Sequence, residues 1–187
     1  MSMKEAADLI HDHNVSLATR TVYLGGEVGD DMVEELFKNL NLLQQRASQA
    51  PITIMLNSGG GCVQSALAIY DMIQSCESHV TITVLGEAAS SASIILQAAD
   101  LRRATKRSTV MYHSGTDSIA DIATNEFRAA FEHSWVLEKF AHDIMYGRMK
   151  VANPKLKPSQ FSRMVTSGLY LAATEAVRRG LLDEILT

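Results

Sequence analysis

The sequence predicts an α/β fold, with a mainly parallel sheet covered by helices, on three observations. Short runs rich in β-branched residues, Ile52-Thr53-Ile54-Met55-Leu56 and Val80-Thr81-Ile82-Thr83-Val84-Leu85 among them, alternate with longer segments of helical period. The connections between these runs are long enough for crossover helices, as parallel pairing requires. The chain has 187 residues, 47% apolar and 20% charged, enough for one sizeable core and too few for two.

Along the chain, Thr21-Val22-Tyr23-Leu24 reads as a short strand ending at Gly25-Gly26. Asp30 or Asp31 then caps a helix whose apolar face is Met32, Val33, Leu36, Phe37, Leu40 and Leu43. Pro51 opens the strand over 52–56, which is expected to break at Asn57-Ser58-Gly59-Gly60-Gly61. A helix follows with Val63, Ala66, Leu67, Ile69, Tyr70 and Ile73 on one side. The strand over 80–85 stops at Gly86, and the small residues of 88–93 run with Ile94-Ile95-Leu96 into a buried helix. Arg102, Arg103, Lys106 and Arg107 read as a solvated basic loop. Ser108-Thr109-Val110-Met111-Tyr112 is a strand that delivers His113 to a turn at Ser114-Gly115. A long helical pattern covers about 119–149, anchored by Ile122, Phe127, Phe131, Trp135, Val136, Phe140 and Ile144. Pro154 and Pro158 separate it from a short helix near 159–165, and a last unit over 174–179 stops at Gly180. No repeat or linker interrupts the pattern, so residues 1–187 are expected to form one domain, with 1–16 as a leading segment.

Composition excludes several classes. A net charge of −4 without a dense basic stripe argues against nucleic-acid binding. Cys62 and Cys76 make neither a disulfide framework nor a four-ligand metal site, and no histidine pair has metal spacing, so no metal or cofactor is expected. The leading segment lacks a secretory signal, and no apolar run approaches the ~20 residues that span a bilayer. The expectation is a cytoplasmic protein without membrane contact.

Two strand-to-helix turns carry the candidate chemistry, 57–61 and 86–93, since ligands of open α/β sheets gather beyond the carboxyl ends of parallel strands. Three successive glycines let the backbone approach a carbonyl, although a bare glycine run more often just makes a tight turn. Serine at the edge of a small-residue helix meets unpaired backbone donors there, and Ser90, Ser91 and Ser93 compete for a nucleophile's role. His113 follows an apolar strand and precedes a glycine turn, where an imidazole is able to serve as general base.

Several segments together resemble one family. Leu56-Asn57-Ser58-Gly59-Gly60-Gly61 is similar to an I-N-S-P-G-G turn, with Gly59 in place of proline, and Ala68-Ile69-Tyr70-Asp71 follows at the same spacing. Gly86-Glu87-Ala88-Ala89-Ser90-Ser91-Ala92-Ser93 resembles a G-x-A-A-S-M-[AG]-[AS] nucleophile segment, and Val110-Met111-Tyr112-His113 resembles V-M-I-H. Leu171-Ala172-Ala173-Thr174-Glu175-Ala176-Val177 and then Gly180-Leu181-Leu182-Asp183 resemble an L-S-A-x-E-A-x-x-x-G-L-[IV]-D tail. In this order and at these intervals, over roughly residues 17–187, they resemble the proteolytic subunit of the Clp protease. The resemblance implies a crotonase-like α/β spiral with a protruding handle helix, matched here by about 119–149. It implies Ser90 as nucleophile, His113 as base, and the backbone N–H groups of Gly61 and Ser91 as oxyanion hole. It further implies heptameric rings stacked in pairs, a polypeptide substrate and a partner AAA+ unfoldase.

One departure matters. The family's triad aspartate lies three residues before the leucine that opens the tail, which is Gly168 here, and no carboxylate occurs over 160–171. Thr166, Ser167 and Asn125 are the neutral groups considered as substitutes. The expected activity is therefore weak peptide hydrolysis. The alternatives are an impaired subunit that mainly builds a ring and a Ser–Lys enzyme of the signal-peptide-peptidase type with Lys106 as base; a crotonase-type acyl-CoA enzyme is more distant. Among the neighbouring serines, Ser93→Ala is expected to be nearly silent.

Overall fold

The computed structural model describes residues 10, 12–115 and 124–186, with the backbone alone over 124–127. In chain order the elements are β1 (Val15–Ser16), β2 (Thr21–Val28), α1 (Asp30–Arg46), β3 (Ile52–Gly61), α2 (Val63–Gln74), β4 (Val80–Ala89) and α3 (Ser91–Leu96). There follow β5 (Leu101–Thr105), β6 (Thr109–Tyr112), α4 (Thr124–Ala152), α5 (Pro158–Thr166), β7 (Leu169–Ala172), α6 (Ala173–Arg178) and β8 (Glu184–Leu186). The residues 119–123 that the sequence assigns to the long helix, Ile122 included, lie outside the described residues.

The sheet runs β1-β2-β3-β4-β5-β8, and only β1 joins that row antiparallel. Ile52, Ile54, Leu56, Val80, Ile82 and Val84 are fully buried, as the central strands of a sheet covered on both faces must be. The decisive feature is a fork. Thr81–Val84 of β4 pair with β5, whereas Glu87–Ala89 pair with β6, and β6 carries the antiparallel β7 on its far side. The fork exists because β4 outlasts its first neighbour, and it sets the ends of β4 and β6 side by side.

Several sequence expectations change here. Strands β2, β3 and β4 run on through glycines that the sequence reads as stops, with irregular register at Gly25/Glu27 and Leu56/Ser58. Gly29, not Asp30 or Asp31, holds the cap of α1, and Asp30 instead accepts a hydrogen bond from Ser65 Oγ at 3.1 Å. Phe37, placed on the apolar face, is exposed, because α1 needs only Met32, Leu36, Leu40 and Leu43 to cover the sheet. The apolar side of α2 holds as expected, with Ala66, Ile69 and Ile73 buried and Val63, Leu67 and Tyr70 partly so.

The basic segment is not a loop. Leu101–Thr105 form β5, and Arg102 is only 7% exposed. Its guanidinium bonds Asp183 through Nε at 3.0 Å and Nη2 at 2.5 Å, while Nη1 reaches Gln97 Oε1 and the Gly180 carbonyl. A buried arginine needs such partners for every donor, and Asp183 and Gly180 are remote in sequence, which hid the clasp from a local reading. Among the described residues, no helix is long and apolar enough to cross a membrane.

Candidate active site

Ser90 is the first residue beyond β4 and the last before α3, and its backbone is turned to φ 50°, ψ −125°. A residue with a β-carbon occupies that region only when the surroundings hold it there. Here three bonds do so. The Ser90 N–H donates to the Met111 carbonyl at 2.9 Å, and the Ser90 carbonyl accepts the Ser93 N–H at 3.0 Å and Ser93 Oγ at 2.6 Å. Fully buried Ser93 is therefore a clamp on the turn.

The glycine run explains how β3 comes so near. A β-carbon on Gly60 would lie 2.7 Å from both Ser90 Cβ and the Ala89 carbonyl oxygen. The run is thus a close approach of backbone to the serine turn, not a tight turn of its own.

The fork brings the second group. His113 follows β6 directly, and its Nε2 lies 2.9 Å from Ser90 Oγ. This is the reach that a nucleophile and its base need. Both face a cleft of about 500 Å³, which Gly61 and Ser91 also line. Ser91 opens α3, so its N–H is a first-turn donor with no intrahelical acceptor. Its hydroxyl is buried and, among the described residues, has no hydrogen-bond partner. The four residues that the family resemblance implies, Gly61, Ser90, Ser91 and His113, therefore share one cavity. Lys106 is exposed on the turn between β5 and β6 and lines no part of it.

The position opposite His113 is Gly168. The antiparallel ladder pairs Tyr112 with Leu169, so one further step sets His113 against Gly168, beside the Ser114 N–H bond to the Val165 carbonyl at 3.2 Å. Among the described residues, the hydrogen bond to Ser90 is the only one His113 makes. The hydroxyls of Thr166 and Ser167 turn back to the carbonyls of Ser162 and Met164 in their own helix, and the Asn125 side chain lies outside the described residues. Gly168 has φ +78°, and a β-carbon there would come 2.9 Å from the Tyr170 ring, so an acid at this position carries backbone strain.

Sequence reasoning missed two contributors. Cys62, exposed at the start of α2, lines the same cleft, and its thiol is held below the usual range mainly by the Ser65 backbone N–H. Helix α4 lines the same cleft through His133 and through Ser134, Leu137, Glu138 and Ala141. The spacing i, i+3, i+4, i+7 was present in the sequence, but the bulky aromatics beside it drew the apolar reading to another face.

Comparison with known proteins places the whole chain. Over 91% of its length the chain is 29% identical to the "ATP-dependent Clp protease proteolytic subunit" of Borreliella afzelii (strain PKo), covering 84% of that protein. It is equally similar to "ATP-dependent Clp protease proteolytic subunit 1" of Borreliella burgdorferi, covering 86% of it. Identity is 27% to the like-named subunit 1 of Salinibacter ruber, 71% of which is covered. The model of the family described as Clp protease matches residues 4–187, nearly the whole sequence, and the chain belongs to that family.

Proposed function

We propose that the protein is a serine endopeptidase that cleaves unfolded polypeptides or short peptides, with Ser90 as nucleophile and His113 as base. The observation that carries this reading is the 2.9 Å contact between Ser90 Oγ and His113 Nε2 inside the cleft. His113 takes the hydroxyl proton as Ser90 attacks the scissile carbonyl, then gives it to the departing amine, and water releases the acyl group. The N–H groups of Gly61 and Ser91 hold the oxyanion. In the same reading α4 is the handle through which seven subunits form a ring, rings stack in pairs, and an AAA+ unfoldase feeds the chamber in the cytoplasm.

The test is labelling with a fluorophosphonate followed by peptide mapping. The tag is expected on Ser90, and Ser90→Ala is expected to lose both tag and peptide hydrolysis while keeping the assembly. A tag on Ser93 or no tag at all defeats the assignment. A second reading, an assembly subunit with little catalysis, is favoured by the lack of a carboxylate at Gly168. Labelled Ser90 without measurable turnover selects it.

A further inference from the structure

The cleft has a charge that the reaction chemistry above does not use. Glu138 is the one carboxylate among the described residues lining it, and no lysine or arginine lines it. The side chain is half-buried, and among the described residues it joins no hydrogen bond or ion pair; its neighbour Lys139 is held instead by Asp143 at 2.6 Å. Tyr112 lines the same cleft, and its phenol is pushed up first by burial and further by the Glu138 charge. Around it, Ile94, Leu137 and Ala141 offer apolar surface.

We infer that the cleft selects substrates with a basic side chain flanking the scissile bond, and that Glu138 binds that side chain. The inference rests on the peptidase reading above. The aliphatic stem of lysine or arginine covers the apolar wall while its cationic head gives the carboxylate charge-assisted hydrogen bonds. A neutral apolar side chain takes water from Glu138 and returns nothing, and an acidic one is repelled. The preference is thus set by a group on α4, apart from the serine and histidine that perform the reaction.

Peptides identical except for arginine or its neutral isostere citrulline at the flanking positions test this. For the wild-type protein kcat/KM is expected to favour arginine about tenfold, a typical return for one charge-assisted hydrogen bond. In Glu138→Gln the ratio is expected to fall to about one, and in Glu138→Lys to invert toward glutamate-containing peptides. A ratio unmoved by Glu138→Gln overturns the inference. So does an equal loss for both peptides with a displaced pH profile, which assigns Glu138 to His113 instead. Anisotropy with fluorescein-labelled arginine and citrulline peptides on Ser90→Ala protein reads the same preference without turnover. Preference there without hydrolysis by the wild type defeats the peptidase reading and keeps Glu138; hydrolysis without preference does the reverse.

Discussion

Ser90 holds a backbone conformation that costs an L-residue about 1–3 kcal/mol, and two of the bonds that oppose this cost come from Ser93. Ser93→Ala removes the hydroxyl bond and leaves the Ser90 carbonyl less fixed. The expected result is a loss of about 1 kcal/mol in stability and a several-fold drop in peptide hydrolysis, measured by thermal melts and a fluorogenic peptide. Wild-type values on both sides would show that the turn is held without it. Gly168 presents the opposite case. Aspartate there supplies the carboxylate that fixes and stabilises a triad imidazolium, an effect worth roughly 10⁴-fold in turnover elsewhere, but φ +78° strains it. Aspartate tolerates that region better than most residues, and the Tyr170 ring it meets is an exposed side chain able to move. Gly168→Asp is therefore expected to lower the melting temperature and raise the rate at least tenfold in the assembled protein. An unchanged rate in an intact assembly means that another group already orients His113.

Among the elements, β5 and β8 depend on a clasp that also anchors the C-terminal end of the sheet. Burial would lift the Asp183 carboxyl, but the hydrogen bonds and charge of Arg102 outweigh it and hold the group below the usual carboxylate range. A carboxyl depressed on folding adds stability that is complete above its unfolded value, near 3.9, and is lost as pH falls through its lower folded value. Melting temperatures are thus expected to drop on acidification below about pH 4, and Asp183→Asn is expected to flatten that dependence. The same substitution leaves the Arg102 charge without its partner and is expected to cost about 2–3 kcal/mol, below the fully buried limit because Asp183 stays a third exposed. A melting curve for Asp183→Asn that matches the wild type at neutral pH would remove the clasp from the account of stability.

At the scale of the whole molecule, α4 turns Ala141, Met145 and Met149 inward and leaves Trp135 58%, Val136 41% and Phe140 51% exposed. Apolar surface of this kind costs roughly 25 cal/mol per Å² in water, and a contiguous patch marks an interaction site. This supports the proposed assembly through the long helix. Light scattering is expected to give a large, defined oligomer, and Trp135→Asp with Phe140→Asp is expected to split it into smaller folded species. A stable wild-type monomer of 20.5 kDa at micromolar concentration would contradict the ring.

What the sequence determined by itself is what local chemistry encodes. The β-branched runs and the helix period led to the α/β class and the parallel sheet, and the order of short motifs led, through the family they resemble, to Gly61, Ser90, Ser91 and His113, which share the cleft. That Gly168 stands where the family resemblance implies an acid was also legible, because it is a residue identity at a fixed distance from Leu171. Everything that rests on partners far apart in the chain needed the tertiary structure. The fork of β4, the passage of strands through Gly25, Gly59 and Gly86, and the burial of Arg102 against Asp183 are each decided by a neighbour some 20 to 80 positions away. The same holds for Glu138, whose helix period is visible in the sequence but whose place in the cleft with Ser90 is not. Propensity and period act over one or two turns of chain, whereas a cleft is made where strands and helices from separate segments meet, and only their packing selects which side chains face it.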